Sequence, residues 1–255
     1  MFKKIALAAA LAATASFATW DYFPVQEAGK GQVEIADISN IQGKSTKLEA
    51  NLRARYTIVQ NFEAGLSIPI QTYVSYDGKA ADDAFALEPI ELMLRYQFLP
   101  NVNAFLDVAF PTCGKNACPD KDNPFGFHFG AQFSQKFGMV DFGSELGLKL
   151  ESRGKDKDTP PWVLNLGLEA DFAVSEVVIP YVGIDLMMKL GKNSYKGDSY
   201  GESHTGEMGV SPYIGLVANI TPMFYLGGDI RLGFGEKFYG DNTLITITVK
   251  AGLNF

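Results

Sequence analysis

Charged side chains recur at alternate positions inside otherwise apolar segments of this 255-residue chain. Arg53 and Arg55 stand two residues apart in "LEANLRARY", and Glu91 and Arg95 stand four apart in "IELMLRYQF". Residues at such spacings share one face of an extended strand. A charged face can line a water-filled passage, or it can fill an enclosed space with ion pairs. The residues that we predict to line such a passage are Arg53, Arg55, Glu91, Arg95, Asp107, Asp229 and Arg231.

The two cysteines of the chain, Cys113 and Cys118, lie in the polar segment "PTCGKNACPDKDNP". In an exported protein, two thiols this close are expected to pair as a disulfide that closes a small loop. A metal site is the alternative, but a lone C-x₄-C motif lacks a second pair of ligands. We therefore predict a disulfide, and we predict neither a metal nor any other cofactor.

The two histidines are the remaining candidates for catalysis. His128, in "FGFHFGAQF", faces the lumen by strand parity, whereas a barrel lipase needs a Ser and a His together on its outer, lipid-facing surface, and no such pair is visible. His204 and the pair Asp82 and Asp83 lie in polar segments, where they could activate water as in a surface protease. Acidic pairs in loops are usually solvated residues without a catalytic role, so we predict that the protein is not an enzyme.

These residues lie in, or next to, a recurring pair of strands joined by a very short turn. The turns fall near Gln60, Pro100, Gly138, Ser175 and Thr221. Longer polar segments separate the copies, and short turns at one end with longer loops at the other are typical of outer-membrane barrels. A closing strand at Leu244 to Phe255 and a first strand around Gln32 to Ile41 bring the expected total to twelve.

Each strand places bulky apolar residues on one face and charged residues on the other. In one strand Leu48, Leu52 and Tyr56 alternate with Glu49 and Arg53. A soluble two-sheet protein would have the same period, with its apolar face inside. Apolar-out segments of membrane-crossing length favour a barrel, which pairs every backbone polar group and has no free edge. Acids outnumber bases on the inward face. This excess favours cations or polar neutral solutes, although a narrow lumen filled mainly by ion pairs is the interpretation that we prefer.

Both ends of the chain carry targeting signals. The N-terminus, "MFKKIALAAALAATASFATW", has a short basic region, an apolar stretch and small residues before Ala18. We predict that residues 1–18 are a cleaved signal peptide and that residues 19–255 are the barrel domain. The C-terminus, "ITITVKAGLNF", alternates up to Phe255 and resembles the signal by which the barrel-assembly machinery recognises outer-membrane proteins.

The overall composition narrows the class of partner. The formal net charge is −7, which argues against nucleic-acid binding. Nineteen Phe, 11 Tyr and 26 Gly suit aromatic-bordered strands and tight turns. We therefore expect outer-membrane lipid, and not nucleic acid, around the chain.

Two hairpins carry a family resemblance. In "LRARYTIVQNFEAGLSIPI" and "LRYQFLPNVNAFLDVAFPT", a strand ending in an aromatic residue passes through a tight turn into a strand ending in Pro. These segments resemble outer-membrane barrels described as phenol-degradation (meta-pathway) or transporter proteins. The resemblance implies a barrel that passes small organic molecules, and it supplies no functional residues.

The combined expectation is an all-β protein. We predict a single transmembrane antiparallel β-barrel of about 12 strands in the cell outer membrane, acting as a narrow channel or transporter for a small solute. The alternative is attachment through external loops, because "GKNSYKGDSYGESHTGE" sets two Tyr among Gly and Ser. A barrel hydrolase is the weaker third interpretation.

Overall fold

The structure is a computed structural model that describes residues 22–82, 84–114, 117–118, 123–154 and 157–255. The predicted signal peptide and Asp83 lie outside the described residues. About two thirds of the described chain is antiparallel strand, and turns, loops and one helical turn connect the strands.

Twelve long strands form the wall of the molecule. In chain order, the first six are β1 (Gly31–Gln42), β2 (Ser45–Val59), β3 (Phe62–Tyr76), β4 (Glu91–Leu99), β5 (Val102–Ala109) and β6 (Gly126–Phe137). The second six are β7 (Val140–Glu151), β8 (Trp162–Phe172), β9 (Val178–Leu190), β10 (Met208–Asn219), β11 (Phe224–Gly233) and β12 (Leu244–Asn254).

The sheet closes on itself through its first and last strands. β1 pairs with β2 on one side and with β12 on the other, and every other strand pairs with its neighbours in sequence. The β1–β12 register runs from Gln32 opposite Asn254 to Gln42 opposite Leu244. The predicted twelve-stranded antiparallel barrel is therefore confirmed, including its weakly patterned first strand.

The two faces of the wall have opposite character. On β2, Leu52 and Tyr56 are 46% and 45% exposed, whereas Arg55 between them is 4% exposed. On β12, Val249 is 62% exposed and the adjacent Lys250 is 8% exposed. Apolar side chains thus cover the outside and polar ones fill the inside. This pattern is the reverse of that in a soluble sandwich, and it suits a lipid-facing barrel.

The two rims of the barrel differ in the length of their connections. One rim carries the short turns at residues 60–61, 100–101, 138–139, 173–177 and 220–223. Asn61 and Gly138 take positive φ there, which tight reversals of this kind require. The opposite rim carries the longer loops and one tight turn at residues 43–44. In outer-membrane barrels the short turns face the periplasm, so the longer loops face outward.

The outward loops have structure of their own. Asp158–Thr159, Asn193–Tyr195 and Asp198–Tyr200 form a small three-stranded sheet. A single helical turn, α1 (Glu236–Tyr239), lies in the β11–β12 connection. None of the helices in the described residues is long and apolar enough to cross a membrane.

The loops also complete the wall above the shortest hairpin. β4 and β5 have 9 and 8 residues, against 15 in β3. The short strand Ala86–Leu87 pairs with the upper part of β3, and the Gly114 N–H donates to the Leu87 carbonyl at 2.8 Å. In the β5–β6 loop, which also contains Gly114, Cys113 and Cys118 form a disulfide with their Cα atoms 5.9 Å apart.

Candidate functional site in the barrel lumen

One group of charged residues ties β4 to β5 inside the lumen. The Arg95 guanidinium forms a bidentate ion pair with the Asp107 carboxylate, and the second of its two contacts spans 3.3 Å. Arg95 and Asp107 are both buried, and the guanidinium lies 5.1 Å from the centre of the Phe105 ring. Two of the predicted lining residues therefore bind each other across neighbouring strands.

His128 on β6 extends this group around the wall. Its Nδ1 lies 3.7 Å from the Asp107 carboxylate, and its Nε2 lies 3.3 Å from that of Glu145. The Glu145 carboxylate also accepts hydrogen bonds from Gln132 at 2.8 Å and from Asn165 at 3.0 Å. A continuous polar network thus crosses the wall from β4 to β8.

Arg55 on β2 belongs to a second buried group. Its Nε donates to the Gln32 side-chain carbonyl at 2.9 Å, and its Nη1 lies 3.7 Å from the Glu63 carboxylate. All three residues are at most 5% exposed. Arg55 therefore fills the wall side of the lumen.

Arg53, two residues away, has a more open position. Its Nη1 lies 3.6 Å from the Glu34 carboxylate, and its side chain is 23% exposed. Glu34 also accepts a hydrogen bond from the Tyr225 hydroxyl at 2.7 Å. The Arg53 guanidinium is thus more exposed to solvent than that of Arg55, although the two arginines lie at similar distances from their carboxylates.

The predicted residues of β11 lie on the far side of the lumen. The Arg231 guanidinium forms an ion pair with Asp185 on β9, and it lies 4.1 Å from the centre of the Tyr213 ring. Asp229 accepts a hydrogen bond from the Tyr181 hydroxyl at 3.1 Å. Arg231 therefore spans two strands, whereas Asp229 is tied to its neighbours in the wall.

A chamber of roughly 340 Å³ lies inside the barrel among these groups. Its charged lining consists of three basic and four acidic side chains: Arg53, Lys149, Arg231, Glu91, Asp107, Glu145 and Asp185. Four of the seven predicted residues thus line the chamber. Arg55, Arg95 and Asp229 take part in wall contacts instead.

Buried tyrosines fill much of the remaining lumen, and sequence reasoning missed them. Tyr181 and Tyr225 are at most 1% exposed. Tyr181 lies opposite Gly215 in the register and Tyr225 lies opposite Gly252, and a Cβ on either glycine would overlap the facing ring. The glycines let the rings lie flat against the wall. An inward-facing Tyr opposite an inward-facing Gly on the next strand is the pattern that would have identified these rings. This pattern can be recognised only when the cross-strand register is known.

The segment before β1 enters the lumen from the short-turn rim. The Tyr22 hydroxyl donates to Asp185 at 2.5 Å, and the Val25 N–H donates to the Gln97 side-chain carbonyl at 3.0 Å. Gly143 and Gly167 on β7 and β8 make room for Tyr22, because a Cβ on either would lie about 2.5 Å from it. Tyr22 lines the chamber and narrows it toward the periplasm. No pattern in residues 22–30 pointed to this.

The other histidine lies in the longest outward loop. His204 Nδ1 lies 3.0 Å from a Glu207 carboxylate oxygen, and Lys189 Nζ lies 2.9 Å from the other oxygen. The hydrogen bond with His204, followed by the one with Lys189, lowers the pKa of Glu207. His204 is thus engaged in a loop ion cluster. In the part of the chain that the structure describes, no group of three or more His, Cys, Asp or Glu side chains could hold a metal ion.

A closed, apolar-coated barrel with a polar lumen is the fold of an outer-membrane β-barrel protein. The solved structures agree. The COG4313 outer membrane channel from Pseudomonas putida F1 superimposes with a TM-score of 0.69 at 12% identity, covering 94% of this chain and 100% of that one. The NanC porin gives 0.54 at 8% identity, covering 88% and 98%, and the KdgM porin gives 0.51 at 8% identity, covering 86% and 98%. No protein-family model and no curated protein sequence matches the chain. At these identities the likeness establishes the fold.

Proposed function

We propose that the protein is a narrow outer-membrane channel for small solutes. The observation that carries this proposal is the charged chamber inside a closed barrel. A wall built only for mechanical stability has no need of Arg53 and Glu91 facing open space. The similar structures, described as an outer membrane channel and two porins, support the same class of activity.

The volume of the chamber limits how much solute it can hold at one time. Its roughly 340 Å³ is near the lower end of ligand cavities and holds on the order of ten water molecules. One small organic molecule fits at a time. The resemblance to phenol-degradation barrels supports small organic molecules as one class of solute.

The charge of the chamber favours cations over anions. Four acidic and three basic side chains line it, so its formal charge is negative when His128 is neutral. In a confined space of this kind, screening is weaker than at an open surface, and the net charge sets the local potential. We therefore propose a preference for cations and for polar neutral solutes.

Planar-bilayer recording tests this function. We expect purified, refolded protein to give small conductance steps, with a reversal potential in a KCl gradient that indicates cation preference. Liposome swelling should be measurable with arabinose and weaker with sucrose. A boiled, unfolded sample is the control. Silent membranes for both the wild type and Tyr22→Ala would overturn the proposal, because that variant widens the periplasmic side.

Attachment through the outward loops is the second candidate function. Tyr195 and Tyr200, on the small external sheet, are 46% and 45% exposed. Exposed tyrosines on a short hairpin suit polar recognition. Deleting residues 192–200 should then abolish the binding of cells to surfaces and leave the conductance unchanged. If the protein acts only as a channel, the deletion should change neither the conductance nor the extent to which cells bind to surfaces.

We further propose that the barrel-assembly machinery recognises β12. Phe255 is 52% exposed, its ring stacks at 6.4 Å on Tyr56, and its carbonyl accepts a hydrogen bond from the Gly31 N–H at 2.9 Å. Removal of Phe255 should lower the amount of protein inserted in the outer membrane. Tyr56→Ala, which keeps the terminal residue, is the matched control. Outer-membrane lipid is the expected partner of the apolar face.

The proposal assigns no enzymatic activity to the chain. His128 is engaged with Asp107 and Glu145, and His204 is engaged with Glu207. A hydrolase assay on phospholipid and peptide substrates, run beside the conductance measurement, would detect an activity that the proposal does not include.

A further inference from the structure

The β11–β12 connection does not project away from the barrel but folds back over its outward mouth. The Tyr239 ring, at the end of α1, packs flat on Gly233, where a Cβ would lie 3.0 Å from the ring. The Tyr239 hydroxyl lies 2.6 Å from the Ser211 hydroxyl on β10. Ser211 is buried, and both residues line the chamber. One aromatic side chain from a loop therefore enters the lumen.

A side chain of β1 holds the backbone of this loop in place. The Gln42 side-chain amide donates to the Tyr239 carbonyl and, at 3.0 Å, to the Asn242 carbonyl. Because both acceptors are carbonyl oxygens of the loop, the position of the backbone does not depend on the Tyr239 side chain.

The opposite side of the loop is held by β9 and β10. The Lys189 ammonium donates to the Lys237 carbonyl at 2.6 Å and lies 5.1 Å from the centre of the Phe238 ring. Phe238 in turn packs on Gly209, where a Cβ would lie 2.8 Å from the ring. The loop is thus fixed from both sides of the β11–β12 hairpin.

Tyr239 lies between the outward solvent and the charged part of the chamber. Gly233, under its ring, is paired with Leu244, the first residue of β12. Arg231 and Thr246 form the next inward-facing pair, one step closer to the periplasm. A solute that enters from outside along β10–β12 therefore passes Tyr239 before it reaches the side chains of Arg231 and Thr246.

We propose that Tyr239 sets the size limit of the outward entrance to the lumen on the β10–β12 side. The inference rests on the proposed function in so far as the lumen is a path for solutes. A tyrosine has only two side-chain torsions, and here one face rests on Gly233 while the hydroxyl is bound to Ser211. The ring is therefore a fixed obstacle, and its bulk limits which solutes reach Arg231 from this side of the mouth.

Thiol labelling from outside measures access past Tyr239 without requiring transport. Thr246→Cys places a reporter below the ring, and Glu236→Cys places a control on the exposed helix, where the side chain is 69% exposed. Cys113 and Cys118 are joined to each other and do not compete for reagent. Intact cells that carry the full chain are treated with a small methanethiosulfonate or with a bulky maleimide–polyethylene glycol.

We expect the removal of the Tyr239 ring to change the labelling rate mainly for the bulky reagent. Tyr239→Ala should raise the labelling rate of Thr246→Cys several-fold with the bulky maleimide and much less with the small reagent. Glu236→Cys should react at one rate in both backgrounds. Tyr239→Phe keeps the ring, so it should label like the parent and show that ring bulk, not the bond to Ser211, is decisive.

Two outcomes would overturn the inference: rapid bulky labelling of Thr246→Cys with Tyr239 present, or no increase in Tyr239→Ala. Heat-modifiable migration of each variant shows that the barrel has folded. If labelling follows the expectation but bilayers stay silent, the proposed channel function fails while the entrance role of Tyr239 stands.

Discussion

The paired residues Arg53 and Arg55 offer a direct test of what the lumen charges do. Both lie on β2 and face inward, and sequence reasoning gave them the same role. In the structure the Arg53 side chain is 23% exposed and lines the chamber, whereas the Arg55 side chain is 3% exposed. Replacing each in turn by Met removes the charge and keeps most of the volume. The two variants should then fail in different ways.

Arg55→Met should destabilise the barrel. It leaves the Glu63 carboxylate, with a side chain 7% exposed, without its cation in the wall. Breaking a buried pair in this way costs about 3–5 kcal/mol. Arg53→Met should cost less, since the Arg53 side chain is 23% exposed and its charge is partly solvated already. Its partner Glu34 also keeps the hydrogen bond from the Tyr225 hydroxyl.

Selectivity should change in the opposite order. The chamber has four acidic and three basic side chains, so the loss of Arg53 takes its net charge from −1 to −2. One unit charge about 8 Å from an ion, at an effective dielectric constant of about 40, changes its energy by about 1 kcal/mol. This energy corresponds to a roughly five-fold rise in the partition of a monovalent cation. Arg55→Met should leave the reversal potential close to that of the wild type, because Arg55 does not line the chamber.

Reversal potentials in a KCl gradient and urea unfolding of the detergent-folded barrel measure the two effects on the same samples. The reasoning is wrong if Arg55→Met shifts selectivity as much as Arg53→Met does, or if Arg53→Met is the less stable variant. Unchanged selectivity and stability in both variants would show that the charges of Arg53 and Arg55 have no role in permeation. The outward loops would then be the better place to look for function.

Three further predictions follow from the same structure. Tyr22→Ala should raise single-channel conductance, because the ring fills space inside the chamber, and Val25→Ala should leave it unchanged in the same recordings. Free-thiol labelling of the non-reduced protein should find neither Cys113 nor Cys118, and replacing both by Ser should barely alter the urea midpoint, because the disulfide constrains a loop and not the ladder. The pKa of Glu207 is lowered below its ordinary 4.5 by the His204 hydrogen bond, so the loop contact is present above that value and is lost as pH falls through the lowered pKa. The protection of the amides of residues 191–207, taken as the ratio of the intrinsic to the observed hydrogen-exchange rate at each pH, should fall at low pH in the wild type, and it should lose this dependence in Glu207→Gln.

The parts of the fold that could be predicted are those written into local periodicity. A strand with Leu52 outward and Arg53 inward is visible from alternation alone, and the tight turns are visible from their spacing. The closure of β1 on β12 follows because a membrane barrel cannot leave an edge unpaired. Predicting these features needs no knowledge of which strand residues face each other.

The candidate site could be predicted only as a set of inward positions. Whether a charged residue lines open space depends on contacts across strands, such as Arg231 with Asp185 on a strand two away. Those contacts follow from register and barrel geometry, which periodicity does not fix. Tyr22 and Tyr239 were missed for a different reason. Both come from segments outside the strands, where no repeating pattern reports that a side chain turns into the lumen.

The positions of these two tyrosines indicate that different parts of the molecule provide stability and control access to the lumen. The wall balances most of its charge internally, as Arg95 with Asp107 and Arg55 with Glu63 illustrate. Such pairs cannot change freely, because each removal leaves a buried charge uncompensated. Tyr22 and Tyr239 instead rest on glycines of the wall and narrow the chamber from its two ends. A change at either position alters access without breaking a strand ladder or a buried ion pair. Selection among solutes can therefore be tuned through the segments that enter the barrel, while the barrel itself stays constant.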